Sequence, residues 1–202
     1  MMVSEVSAYA DAALPVAQFR AHLRLGSGFG EDGLQDDLLL GFLRAAVAAI
    51  ELRTGRMLIT RGFSLRLEAW RDGEVEPLPL RPVTAVGAVV LVDAIGTELV
   101  VEADRYRLVP DAQAPALCAG ATLLPTIPAR GHVRIALTAG MAADWGGLPA
   151  DLGQAVLLLA AHYYEFRHET ALGAGCMPFG VTSLIDRYRR VGITLGLGSV
   201  GQ

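Results

Sequence analysis

His162, Glu165 and His168 stand three residues apart in a helical stretch, so their imidazoles and carboxylate are the first candidates for metal chemistry. Glu165 and His168 form the Glu-x-x-His step of carboxylate-bridged di-iron bundles, a site that also needs a second such step and two further Glu residues. The chain has no other Glu-x-x-His, and the order is not the His-Glu-x-x-His of zinc proteases. We read the three as helix-surface residues and expect no metal and no cofactor. Gly26, Gly28, Gly30 and Gly33 imitate a nucleotide-binding loop, but they follow a helix instead of a strand, and no Lys exists to reach a phosphate. Gly196, Gly198 and Gly201 repeat that spacing with no helix after them to supply a dipole. No Gly-x-Ser-x-Gly turn is present, and Cys176 lies near His168 without a spacing that orients the pair. No catalytic residue is expected.

What remains is a basic cluster followed by an alternating tail. Arg187, Arg189 and Arg190 close the last helix, and Val191, Ile193, Leu195 and Leu197 then alternate with Gly192, Thr194, Gly196 and Gly198. That is the two-residue period of a strand with one buried face, and no later segment could pair with it. Its glycines make it costly to order alone, so it reads as an arm for another protein's sheet edge. Counted from Arg190 and fully extended, it would reach roughly 40 Å. The Arg cluster balances a helix C-terminus or steers the arm onto an acidic partner.

The elements around these residues follow from periodicity. Residues 1–14 lack a clear period and are expected to be a loose arm. A helical part spans 15–56: Pro15 opens a short helix with Val16, Phe19 and Leu23, residues 26–33 form a Gly-rich connector, and a helix of about five turns follows. In that long helix, Leu34, Leu38 and Phe42 beside Leu39, Leu43, Val47 and Ile50 predict one broad apolar face, and Gly55 suits a left-handed cap. Over 57–140 the period becomes two. Phe63, Leu65 and Leu67 alternate with polar residues, as do Val133, Ile135 and Leu137, and Val86 to Val92 is apolar on both faces like a central strand. A turn is expected at Asp93 to Gly96, strands near Leu99 and Tyr106, and a long exposed loop from Pro110 to Pro128. A second helical part covers 141–190, where Leu152, Val156, Leu159, Tyr163 and Phe166 form a narrow stripe, and residues 191–202 are the extended arm. The fold class is therefore α+β: a helical bundle from N- and C-terminal helices, an inserted antiparallel β module, and an extended C-terminal arm.

Composition agrees with association. The chain of 202 residues is 52% hydrophobic and 19% charged, with a mean hydropathy of +0.41. That leaves little polar surface to cover a monomer. The longest uninterrupted apolar run of the last long helix, residues 155–161, is far short of the ~20 needed to span a bilayer. Residues 1–10 contain Glu5 and no basic residue, so no secretory signal is expected. Two cysteines, Cys118 and Cys176, read as reduced thiols. The net charge of −4 gives no general attraction to nucleic acid or anionic membrane. All 17 basic residues are Arg, through selection for guanidinium contacts or through GC-rich coding.

Several segments in order resemble the head-tail connector (adaptor) proteins of tailed bacteriophages and bacterial gene transfer agents. These are Pro15-Val16 with Phe19 to Arg24, Glu51 to Arg56, Thr138-Ala139-Gly140 with Leu148 to Leu152, Leu157 to Glu165, and Pro178 to Val181 with Leu184-Ile185 and Tyr188-Arg189. The Gly-rich connector is the departure from that pattern. The resemblance implies a structural protein of the virion neck, made in the bacterial cytoplasm. It would form a ring, commonly of twelve copies, between the portal protein and a tail-side stopper or tail-terminator protein. DNA would pass through its channel without specific binding. On this reading Arg187, Arg189, Arg190, Val191, Ile193, Leu195 and Leu197 contact the portal. The competing reading is a small-ligand-binding protein or enzyme whose pocket between the β module and the helices is lined by His162, Tyr163, Tyr164 and Arg134.

Overall fold

The chain's computed structural model describes residues 1–25, 32–167 and 177–189. Pro15 precedes α1 (Val16–His22), and α2 (Asp32–Thr54) follows. The β module comprises β2 (Arg61–Leu67), β3 (Val75–Pro77), β4 (Val83–Val92), β5 (Glu98–Val100), β6 (Tyr106–Val109), β7 (Ala116–Ala119) and β8 (His132–Ala139). Two further helices, α3 (Ala150–Glu165) and α4 (Phe179–Ile185), return to the first pair. The class is α+β with the β module inserted between helical parts.

Residues 2–5 were expected to be loose and instead form β1 (Met2–Glu5), an edge strand antiparallel to β2 with Met2 opposite Arg66 and Glu5 opposite Phe63. Four residues are too few for periodicity to announce a strand, and β2 supplies its backbone partners. The strand order of the larger sheet is β1-β2-β8-β4-β5, and all its pairs are antiparallel. The stretch from Pro110 to Pro128 is not wholly loop. It contains β7, which pairs with β3 and β6 in a second, three-stranded sheet and buries Leu117 and Cys118. Val86 to Val92 also differs from expectation: only Val89 to Val92 are buried, while Gly87 and Ala88 lie exposed on the outer face.

Two cores result. Phe63, Leu65, Leu67, Val89, Leu91, Leu117, Val133, Ile135 and Leu137 fill the space between the sheets. Phe19, Leu39, Leu43, Ile50, Leu152, Leu159 and Ile185 join the helices. Burying each such side chain contributes about 1.5 to 3 kcal/mol. On α3 the stripe behaves as its spacing predicts, with Leu152, Val156 and Leu159 buried. On α2 the apolar face is narrower than expected. Leu39, Leu43, Val47 and Ile50 are buried, but Leu38 is exposed, because α3 covers one side of the helix only.

Beyond the passage from β1 to α1, the chain crosses between helices and sheet after α2 and after β8, and these two crossings are bonded to each other. Ile59 and Ala142 make a parallel bridge, and the Thr60 amide donates to Ala142 O at 2.8 Å. Gly140, at φ +153°, sits where an added Cβ would fall 2.2 Å from Thr60 Cα, so only glycine lets the crossings approach so closely. At the first crossing, Gly55 turns the chain at φ +67°, and Arg81 Nη2 donates to Thr54 O at 3.2 Å at the end of α2.

An ion pair fastens this junction. Arg61 Nη1 and Nη2 donate to Glu51 Oε1 and Oε2 at 2.9 and 2.7 Å, and Oε1 also accepts from the Leu58 amide at 2.7 Å. The side chains are 7% and 6% exposed. Arg61 further pairs with Glu5 of β1 at 3.0 Å, with the Tyr9 and Phe63 rings 5.3 and 5.0 Å from its guanidinium carbon. Burial opposes the Arg61 charge, but hydrogen bonding and attraction from Glu51, then Glu5, outweigh it and hold its pKa above the ordinary arginine value. Removing one partner would leave a buried charge uncompensated. Glu51→Ala should therefore lower stability by about 3 to 5 kcal/mol in urea unfolding, whereas Glu51→Leu combined with Arg61→Met should cost clearly less than the two single changes summed.

Candidate assembly surface

Three surfaces hold the site residues singled out in the sequence: the end of the described chain, the outer face of the larger sheet, and the outer side of α3. The first is built on α4 and the 3-10 turn Asp186 to Tyr188 that follows it. Val181 and Ile185 bury one side of α4 in the helical core, which brings Tyr188 down onto α3. Tyr188 Oη donates to Asp151 Oδ1 at 2.9 Å, and Arg187 pairs with Asp151 Oδ2 at 2.8 Å. From below, the buried Arg56 donates through Nε to Tyr188 O at 3.3 Å and through Nη1 to Ala112 O at 3.1 Å. Burial, with Asp151 adding to it and Arg187 opposing it, raises the Tyr188 phenol above its ordinary pKa, so it remains a donor at neutral pH.

This bracket fixes Tyr188, next to the last described residue of this segment, against α3. Arg187 is engaged by Asp151 and Arg189 by Asp186 at 3.1 Å, yet both guanidiniums stay substantially exposed. Exposed pairs of this kind are screened by solvent, contribute little to stability and exchange partners easily. Arg190, Val191, Ile193, Leu195 and Leu197 lie outside the described residues. Arg56 and Tyr188 are 132 positions apart, and no local spacing in the sequence marks their contact. Asp151 stands in the first turn of α3, where an acid suits the helix dipole and gives no sign of Tyr188.

On the outer sheet face, alternation places Ser64 of β2, Arg134, Ala136 and Thr138 of β8, and Gly87 of β4 together. Their small side chains leave a shallow groove of about 540 Å³, with Val6 at its margin. Arg134 pairs with Glu98 at 2.8 Å, and Tyr106 Oη donates to Gly87 O at 3.0 Å. Of the four residues that the competing reading gathers, only Arg134 lines this groove. His162, Tyr163 and Tyr164 belong to α3, where His162 packs 4.6 Å from the Phe166 ring and Phe42 meets Tyr164 edge-on at 5.8 Å. Burial raises the Tyr163 phenol.

His168 and Cys176 lie outside the described residues, and among the described residues no three His, Cys, Asp or Glu side chains gather as a metal site. Among them, too, no helix is long and apolar enough to cross a membrane.

No family model matches the chain, and no curated protein does. Solved structures do. The chain is 55% identical to a chain in the neck of an empty gene transfer agent particle computed with C6 symmetry, with a TM-score of 0.87, covering 97% of this chain and 99% of that one. It is 51% identical, at TM-score 0.82 and the same coverage, to a chain in the neck of a native particle computed with C12 symmetry. A third match, from the virion of a native gene transfer agent particle, has 54% identity and a TM-score of 0.83 over the same coverage.

The bracket should behave as a coupled unit. Asp151→Ala and Tyr188→Phe should each lower stability by about 1 kcal/mol, and the double variant should cost less than their sum, as chemical denaturation of all three will show.

Proposed function

The chain belongs to the neck proteins of gene transfer agent particles, and on that footing we propose that it is the head-tail adaptor of such a particle, a structural ring subunit without catalytic activity. The observation that carries this reading is identity of 51–55% to neck chains over 97% of the sequence. Twelve copies around one axis would match the C12 symmetry of one of those necks. The ring would sit between the portal protein on the head side and a stopper or tail-terminator protein on the tail side. A chain with a net charge of −4 suits a passage that lets DNA slide without gripping it.

The C-terminal segment is the element assigned to the portal. The Arg56 and Asp151 bracket holds its root, so the alternating residues Val191, Ile193, Leu195 and Leu197 start from a fixed point. Docked as a strand, they would bury four aliphatic side chains worth about 1.5 to 3 kcal/mol each before ordering costs. Arg187, Arg189 and Arg190 would guide the approach, leaving Asp151 and Asp186 for acidic groups of the portal.

Truncation after Arg190 should leave the melting temperature of the body unchanged and weaken portal docking at least tenfold. Ile193→Asp and Leu195→Asp should do the same, while Thr194→Ser, on the opposite face, should be nearly silent. Undiminished docking of the truncated chain would refute the assignment. Mass measurement of the complex with the portal checks the ring, for which a one-to-one stoichiometry is the contrary result.

A further inference from the structure

Helix α2 carries an apolar seam that none of the described residues covers. Leu38, Gly41, Ala45, Ala48 and Leu52 follow one another at intervals of three, four, three and four residues, and every one of them is exposed. Leu38 is 49% exposed and Leu52 88%. The alternation of three and four is the spacing of a helix seam against another helix. The core-facing residues Leu39, Leu43, Val47 and Ile50 are separate from it, so α2 presents apolar residues on two sides. A Cβ built on Gly41 meets nothing within 4 Å, so the centre of the seam is open to a close partner. Arg44, the charged neighbour of Ala45, is already paired with Asp11 of the N-terminal segment.

We propose that this seam is the contact through which one copy of the chain meets the next around the ring, a reading that rests on the ring assignment above. Three arguments select a second copy. Each copy carries a net charge of −4, so copies repel weakly at long range, and a contact without charge adds no further repulsion; the seam contains no charged residue. From Leu38 to Leu52 the seam runs about 21 Å along the helix, and with a helix 10–12 Å wide it covers on the order of 200 Å². A standard interface buries ~800 Å² per partner, so the seam alone is too small for a stable pair in isolation. It suffices where closure of a ring holds each copy between two neighbours. In a closed ring of rotated copies the contact is heterologous, so the seam meets a different apolar patch of the neighbour and not its own counterpart.

The test uses the full chain assembled in particles, with Ala45 replaced by the photo-crosslinking residue benzoylphenylalanine. Irradiation should give a ladder of species at multiples of the 21.3 kDa subunit mass. Cross-linking only to a different protein, or none in particles that contain the chain, overturns the proposal. A second arm uses Ala45→Glu and Ala48→Glu, which replace exposed residues and should leave the melting temperature within about 2 °C. Both should reduce incorporation into particles at least tenfold, while Ala129→Glu, exposed on a loop, should incorporate normally. Normal incorporation of the first two overturns the seam even if the ring stands. If the unaltered chain is present in the particle in a single copy, the ring reading falls and the seam falls with it.

Discussion

The pairing of Glu51 with Arg61 is the constraint on which the rest of this structure depends. One residue lies in the last turn of α2, the other begins β2, and both are nearly inaccessible to water. Two charges are kept there only because both carboxylate oxygens are occupied and the guanidinium also meets Glu5 and two aromatic rings. The directed hydrogen bonds of the pair tie the last turn of α2 to the first residue of β2. The N-terminal strand is tied into the same knot through Glu5. Three regions far apart in sequence share one polar anchor.

Around that anchor the fold divides its labour. The helical core holds α1 to α4 together and fixes the root of the C-terminal segment, while the core between the two sheets makes the β module rigid in its own right. The bonded crossings at Ile59 and Ala142 transmit position from one to the other. An assembly subunit needs this arrangement more than an enzyme does, because its function is to present surfaces at fixed relative orientations.

The helices and the longer strands were legible in the sequence, since their apolar periods are long enough to stand out, and Pro15 and Gly55 mark two of the helix ends. The strands β1, β3 and β7 were not. They are three or four residues long, and their partners lie elsewhere in the chain, so local pattern carries almost no signal. The broad apolar face expected on α2 is buried only along Leu39, Leu43, Val47 and Ile50, because periodicity counts apolar residues without saying which neighbour covers them. Glu51, Arg61 and Arg56 look like ordinary surface charges until tertiary contacts bury them. The family resemblance was legible from the order of segments alone, and the structural matches bear it out.

The larger sheet ends in β1 on one side and in β5 on the other, strands of four and three residues. Such edges offer only a few unpaired amides and carbonyls each. Proteins that must be made in many copies and concentrated at one place run a constant hazard of strand-to-strand polymerisation, which long flat edges template. Here the template is too brief to propagate. Crowding copies together then favours lateral contact between folded faces over growth of fibres, and the size of the assembly is limited by geometry instead of by supply.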